Sequence, residues 1–334
     1  MVKKLKFYNN FKVSKAHEQS ILLIGNFDGL HLGHQKLFNL AKKYKKKFKL
    51  KIGVITFEPM PKMYFNKNLK NFRILSIHQK IKILEKLDVD FLITKKFNKQ
   101  FSKIKSQNFI KEILYKKLKA KYIFVSNNFR FGNKREGDVN ELIRNEKNYN
   151  YKIIKPKPFK LKNTVISSTL IRKLLSNGKI EFVNRLLSRN WSIESKVEKG
   201  RQLGKKIGFP TCNLNIKNYV IAKTGVYAVK IYQKNKNFSL KGIANLGYRP
   251  TFNQKKIYGG VAYLGPRPTF GGKEIFLETN IFGVKKSLYK KKLRVYFLKF
   301  LRRDRKFRNP AQLIRQMNKD VIFAKKGLKT RLVI

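Results

Sequence analysis

Two of the chain's four histidines, His31 and His34, stand three residues apart in the stretch Gly25-Asn26-Phe27-Asp28-Gly29-Leu30-His31-Leu32-Gly33-His34-Gln35. Spacing of three puts both imidazoles on one face of a helix. An apolar run, Ile21 to Ile24, precedes the stretch and reads as a buried strand, and an amphipathic run, Gln35 to Lys47, follows and reads as a helix. Helix N-termini carry unpaired N–H groups and the positive end of the macrodipole, so they suit phosphate. Two imidazoles beside them can donate hydrogen bonds to phosphoryl oxygens as charge shifts onto those atoms. The pattern is neither G-x-x-x-x-G-K-[ST] nor G-x-G-x-x-G.

Three further groupings carry chemistry. Ser167, Ser168 and Thr169 open a helix within Ile166-Ser167-Ser168-Thr169-Leu170-Ile171-Arg172, with Arg172 one turn on. The hydroxyls are good caps, and together with the guanidinium they can converge on one anion. From Gly200 to Asn213 glycines alternate with basic residues, among them Gly200, Arg201, Gly204, Lys206 and Gly208. That composition lets backbone N–H groups and ammonium ions approach phosphates. Thr211 and Asn213, two apart, share a side if extended and offer two neutral oxygens to Mg²⁺, which commonly shares substrate phosphates. The loop Asn127–Asp138 is polar with two interleaved aromatics, Phe129 and Phe131, and suits a planar heterocycle.

The elements that would position these groups fall into two textures. Strand-like runs at 21–25, 50–57, 90–94 and 122–126 alternate with helix-like runs at 35–47, 76–87 and 107–118. Such alternation predicts a doubly wound parallel sheet, with ligands at the carboxyl ends of its strands. Two prolines in Glu58-Pro59-Met60-Pro61 predict an extended loop there. From Trp191 onward, runs such as 226–232 and 293–300 are rich in β-branched and aromatic residues and predict an antiparallel β-barrel, closed by a C-terminal helix near 310–323.

At 334 residues the chain is long enough for two domains, and 42% apolar content supports packed cores. One cysteine, Cys212, excludes an internal disulfide and a Cys-based zinc cluster. The start lacks a signal-peptide apolar stretch, and no run approaches the roughly 18 apolar residues of a membrane span, so the expected location is the cytoplasm. The net charge is +61, from 79 Lys+Arg against 18 Asp+Glu. One reading is a nucleic-acid binder. The other is compositional drift toward Lys, Asn, Ile and Phe. The basic residues run the whole length of the chain and Phe reaches 27, which favours drift and no specific nucleic acid.

The string G-N-F-D-G-L-H-L-G-H-Q resembles the H-x-G-H element of the nucleotidylyltransferase superfamily, in the branch of the bacterial bifunctional riboflavin kinase/FAD synthetases. Val125–Gly132 is similar to that family's V-G-x-[DN]-F-R-F-G, Ser167–Arg172 to its second phosphate-binding element, and G-R-x-L-G followed by Gly208-Phe209-Pro210-Thr211-Cys212-Asn213 to its kinase phosphate and metal loop. Leu277-Glu278-Thr279-Asn280 and Leu301–Phe307 resemble its late motifs. The resemblance implies an FMN adenylyltransferase domain over 1–185 and a riboflavin kinase domain over 186–334, using riboflavin, FMN and ATP with Mg²⁺. It implies that Glu278 is the base for the ribityl hydroxyl and that Thr211 and Asn213 hold the metal. His31, His34 and Arg172 would act in adenylyl transfer. Gly25, Asn26, Phe27, Asp28, Gly33, Ser167, Ser168 and Thr169 would contact nucleotide, as would the glycine-rich residues above in the kinase. Asn128, Phe129, Arg130 and Arg302 would contact flavin.

One irregularity is internal: Gly260–Phe270 nearly repeats Gly242–Phe252, where a single segment is expected. The first copy, with Ala244-Asn245, fits the family pattern better and is expected in the barrel.

Overall fold

The computed structural model describes residues 5–199, 208–233, 239–248, 275–284, 288–305, 307 and 309–327. The chain packs as two compact units, one of Met1–Lys70 with Ile77–Ser168 and one of Asn71–Ser76 with Thr169–Ile334.

The first unit is built on a six-stranded parallel sheet. Its strands are β1 (Lys6–Tyr8), β2 (Ile21–Ile24), β3 (Ile52–Glu58), β4 (Phe91–Lys96), β5 (Tyr122–Phe124) and β8 (Lys152–Ile154), in the order β1-β4-β3-β2-β5-β8. Two short hairpins, β6 (Arg130–Phe131) with β7 (Gly137–Asp138) and β9 (Lys160–Leu161) with β10 (Thr164–Val165), decorate it. Strand β2 is fully buried, as its unbroken apolar run requires of a central parallel strand. The chain proceeds from β2 outward through β3 and β4, then returns to the other side of β2 with β5 and β8. The order therefore reverses at β2, and the crevice at its carboxyl end is the topological switch point where ligands bind in such sheets.

Three local expectations shift. The first long helix spans Leu32–Phe48 and so begins earlier than the apolar periodicity indicates. After Met60, Pro61 opens a short helix, Pro61–Phe65, instead of continuing an extended loop; proline at the first helical position needs no N–H partner. The helix expected over 107–118 is a turn of α-helix, Ser106–Asn108, running into a wider π-helix, Phe109–Lys117.

The second unit is a closed antiparallel barrel of β11 (Ser192–Glu198), β12 (Thr211–Asn215), β13 (Gly225–Gln233), β14 (Ser239–Tyr248), β15 (Ile275–Ile281) and β16 (Lys292–Arg302), in the order β11-β12-β15-β14-β13-β16. Leu214, Leu277 and Leu246 lie directly opposite one another across β12, β15 and β14 and are wholly buried. They point inward, so the neighbouring row points out of the barrel. That outer face is apolar at Val226, Ala228 and Ile243 and is covered by the C-terminal helix, Pro310–Gly327, through Ala324 and Val321. The first copy of the repeated segment supplies β14 as far as Tyr248; the second copy lies outside the described residues.

Candidate functional site

The turn after β2 is held by its own buried apolar residues. Phe27 and Leu30 adopt left-handed backbone conformations, with φ of 45° and 40°, a region that costs a non-glycine residue roughly 1–2 kcal/mol. Both are buried, and Phe27 packs edge-on against Phe38 and His34, at ring separations of 5.2 and 5.3 Å. The Gln35 side chain donates to Leu30 O at 2.9 Å. His31 becomes the N-cap of the long helix and His34 its third residue, so the pair straddles the first turn. Their rings stack at 3.8 Å with an interplanar angle of 20°. Gly33 lies between them because a Cβ there would stand 3.2 Å from His31 Nδ1 and 3.3 Å from Ile166 O.

Ser168 Oγ donates to Asp28 O at 2.7 Å, so the start of the I-S-S-T motif is anchored on the turn, with Asp28 buried. The Asn26 side-chain oxygen is buried with no hydrogen-bond partner among the described residues. Gly25 N donates to Ile55 O, fixing the turn to β3. Ser167 is half-buried beside Ser168. Thr169 and Arg172 belong to the second unit. Thr169 is exposed there, and Arg172 donates from Nε to Phe72 O at 2.8 Å, its guanidinium 3.6 Å over the Phe72 ring. In the loop after β5, Asn128 is exposed and bonded to Ser126. Phe129 stacks on Phe131, and Arg130 reaches Asp138 at 3.7 Å.

Lys80, which the motifs do not mark, is 2% exposed and donates to Asn26 O at 2.8 Å and to Thr56 Oγ1 at 3.3 Å. It therefore places an ammonium group directly behind the turn. The spacing Ile77, Lys80, Leu84, Leu87 is an inward helical stripe with a lysine on it. That pattern is the signal that could have found it.

In the barrel, Glu278 lies on β15 between Asn213 of β12 and Asn245 of β14, each in direct register with it. The row continues through Val226 to Arg302. Thr211 and Asn280 form the adjacent pair on the same face. A cavity of about 40 Å³ is lined there by Thr211, Asn245, Glu278, Asn280, Met317 and Asp304, among others. The side-chain oxygens of Asn213 and Asn245 are both buried with no hydrogen-bond partner among the described residues. Asn280 Nδ2 donates to Pro210 O at 2.8 Å, which ties the end of the glycine-rich segment to β15. Gly208 there has φ of 85°, and no described residue stands within 4 Å of where its Cβ would be; Gly200, Arg201, Gly204 and Lys206 lie outside the described residues. Cys212 faces the opposite side from Thr211 and Asn213, and burial pushes its thiol up to about 11.

Arg302 is clamped by Asp320 of the C-terminal helix, with Nε–Oδ1 and Nη2–Oδ2 at 2.9 and 2.7 Å. Burial raises the Asp304 carboxyl, and the Arg302 charge opposes that shift. The Arg302 and Asp320 side chains are 11% and 4% exposed. Removing one partner of such a pair leaves the other charge buried, at a cost of roughly 3–5 kcal/mol. Asp320→Ala is therefore expected to lower the second unit's stability by about 3 kcal/mol, read as a fall in its urea midpoint.

The FAD synthetase family model matches residues 13–170 and the riboflavin kinase family model residues 187–328. A bifunctional riboflavin kinase/FMN adenylyltransferase of Buchnera aphidicola subsp. Schizaphis graminum is 36% identical over 316 residues, covering 94% of this chain and 96% of that one. The proteins of the same description from Haemophilus influenzae and Escherichia coli are 33% and 31% identical over 304 and 308 residues; they cover 91% and 92% of this chain, and each alignment takes in 92% of the relative. The chain belongs to the bifunctional riboflavin kinase/FMN adenylyltransferase family.

The family's two-part order matches the two units, and a solved structure agrees in fold. A protein from Streptococcus pneumoniae titled as a macrolide-efflux protein superposes with a TM-score of 0.80 at 26% identity, over 96% of this chain and 99% of that one. Among the described residues of this family member, no helix is long and apolar enough to cross a membrane. The two riboflavin kinase/FMN adenylyltransferase family models leave 171–186 between them. Helices Ser168–Ser176 and Ile180–Leu187 occupy that interval, and Asn184 Nδ2 donates to Phe297 O of β16 at 2.9 Å.

Proposed function

We propose that this chain makes flavin cofactors in two ATP-dependent steps. It phosphorylates riboflavin to FMN in the barrel, then joins FMN to AMP at the parallel sheet, releasing pyrophosphate. The observation that carries the reading is the pair of sites: stacked imidazoles at a helix N-terminus in one unit, and, in the other, a carboxylate flanked by two amide oxygens with no partner among the described residues.

In the kinase, Glu278 accepts the proton of the 5′-hydroxyl as its oxygen attacks the γ-phosphorus of ATP and ADP leaves. Asn213 and Thr211 fit a hard divalent cation, since the Asn213 oxygen is buried with no donor among the described residues and both side chains share Glu278's face. Mg²⁺ bound there would neutralise charge on the ATP phosphates. Gly208 and the glycine-rich residues before it, Gly200, Arg201, Gly204 and Lys206, are read as the phosphate cradle, and Arg302 as a support for the flavin side of the cleft.

In the adenylyltransferase, an FMN phosphate oxygen attacks the α-phosphorus of ATP. The nucleophile is already anionic, so no base is needed. His31, His34 and the first N–H groups of their helix stabilise charge on the transferring and leaving phosphates. Ser168 holds the turn through Asp28, and Arg172 and Thr169 contribute to nucleotide binding. Asn128, Phe129 and Arg130 are read as flavin contacts. The functional boundary is placed between 185 and 186, within the stretch the family models leave open. Use of ATP agrees with a cytoplasmic location.

Supplying the purified protein with riboflavin and Mg-ATP and separating products by chromatography tests the reading: FMN then FAD are expected, and formation of neither overturns it. Lys80→Met should leave Asn26 O without its donor and loosen the turn. FAD formation from FMN is expected to fall at least about tenfold, with riboflavin phosphorylation unchanged.

A further inference from the structure

Asn245 has the same local situation as Asn213 but a different neighbourhood. Each lies one strand spacing, about 4.8 Å, from Glu278, on opposite sides of it. Each has a buried side-chain oxygen with no hydrogen-bond partner among the described residues. A buried amide oxygen left unpaired is costly, so both oxygens mark places where a ligand supplies the partner. Asn213 has the Thr211 hydroxyl on its side, a second oxygen for a cation. Asn245 instead has Val226 opposite it and Ile243 two residues before it on the same face, and both line the cavity. The carboxylates on that side, Asp304 and Asp320, face the Arg302 guanidinium, whose charge disfavours a bound cation. Apolar side chains beside an amide oxygen that has no partner among the described residues suit a chain of CH–OH units.

We propose that Asn245 is a substrate-binding residue of the kinase site, its side-chain oxygen accepting a hydrogen bond from a ribityl hydroxyl of riboflavin next to the one Glu278 deprotonates. Glu278 then divides the cleft, with the phosphoryl side at Asn213 and the polyol side at Asn245. The inference rests on the kinase reading above.

The test uses the full chain with Asn245→Ala and Asn245→Ser, the second keeping a small polar group should the first fold poorly. Riboflavin binding is read by its own fluorescence, alongside KM for riboflavin, KM for ATP and the Mg²⁺ concentration at half-maximal rate. Loss of one hydrogen bond is expected to raise Kd and KM for riboflavin roughly three- to tenfold, with the ATP and Mg²⁺ values unchanged. Lumiflavin, which lacks the hydroxyls, should bind wild type and variants equally. Unchanged riboflavin values, or a shift in the Mg²⁺ requirement instead, overturns the proposal, as does equal weakening of lumiflavin. Absence of riboflavin phosphorylation by the wild type would instead overturn the kinase reading itself.

Discussion

Glu278→Gln is expected to reduce FMN formation from riboflavin by about 10²–10⁴-fold, the usual contribution of a positioned general base. FAD formation from supplied FMN should be unchanged. The change is nearly isosteric and lies in a strand paired on both sides, by β12 and β14, so the backbone has little freedom to shift. What is lost is the capacity to take a proton, because an amide cannot accept one from the attacking hydroxyl near neutral pH. KM for riboflavin should move little, and the loss should fall on kcat. Single-turnover measurement at saturating Mg-ATP checks this. A variant that keeps more than a tenth of wild-type phosphorylation would remove Glu278 from the role of base.

His34→Ala is expected to cut FAD formation from FMN by about 10²–10³-fold, the typical loss when one preorganised donor is removed from a developing anion. Phosphorylation of riboflavin by the same molecules should persist. Alanine suits the third position of a helix, so the helix should remain, whereas the stack on His31 and the edge contact with Phe27 disappear. Relaxation of the turn is a second route to the same loss. His34→Asn separates the two causes, since its side chain is a donor but packs differently. Partial recovery by asparagine assigns the loss to hydrogen bonding, and no recovery assigns it to packing. Retained FAD synthesis in the alanine variant would exclude the imidazole from the transfer step.

The parts of the fold carried by local pattern were legible. The apolar run at Ile21–Ile24, the glycine turn and the paired histidines locate the switch point of the sheet. Alternation of β-branched and aromatic residues locates β13 and β16. Thr211 and Asn213 share a face as their spacing requires, and Glu278 proves to be in register with Asn213. What the pattern hid is non-local. Lys80 was camouflaged by a chain holding 79 Lys+Arg, and only its place on an inward stripe sets it apart. Arg302 meets Asp320 from a different element, 18 residues on, a pairing no spacing rule specifies. The early start of the first helix leaves no mark in the apolar pattern, because Leu32 and Gly33 extend no apolar stripe; they are ordered by the turn before them.

The membership of Asn71–Ser76 in the barrel's unit has a consequence for how such a gene can be divided. Trp191 donates its indole N–H to Ile74 O, Arg73 N donates to Asn218 O, Val220 N donates to Arg73 O, and Arg172 stacks on Phe72. A cut between 185 and 186 would yield a C-terminal piece without Arg73 and Ile74, leaving the buried indole N–H of Trp191 unanswered, whereas Arg172 and Phe72 would stay together on the other piece. Separate inheritance of the barrel would then demand compensating changes around Trp191, Asn218 and Val220, because six residues from early in the chain are part of its fold.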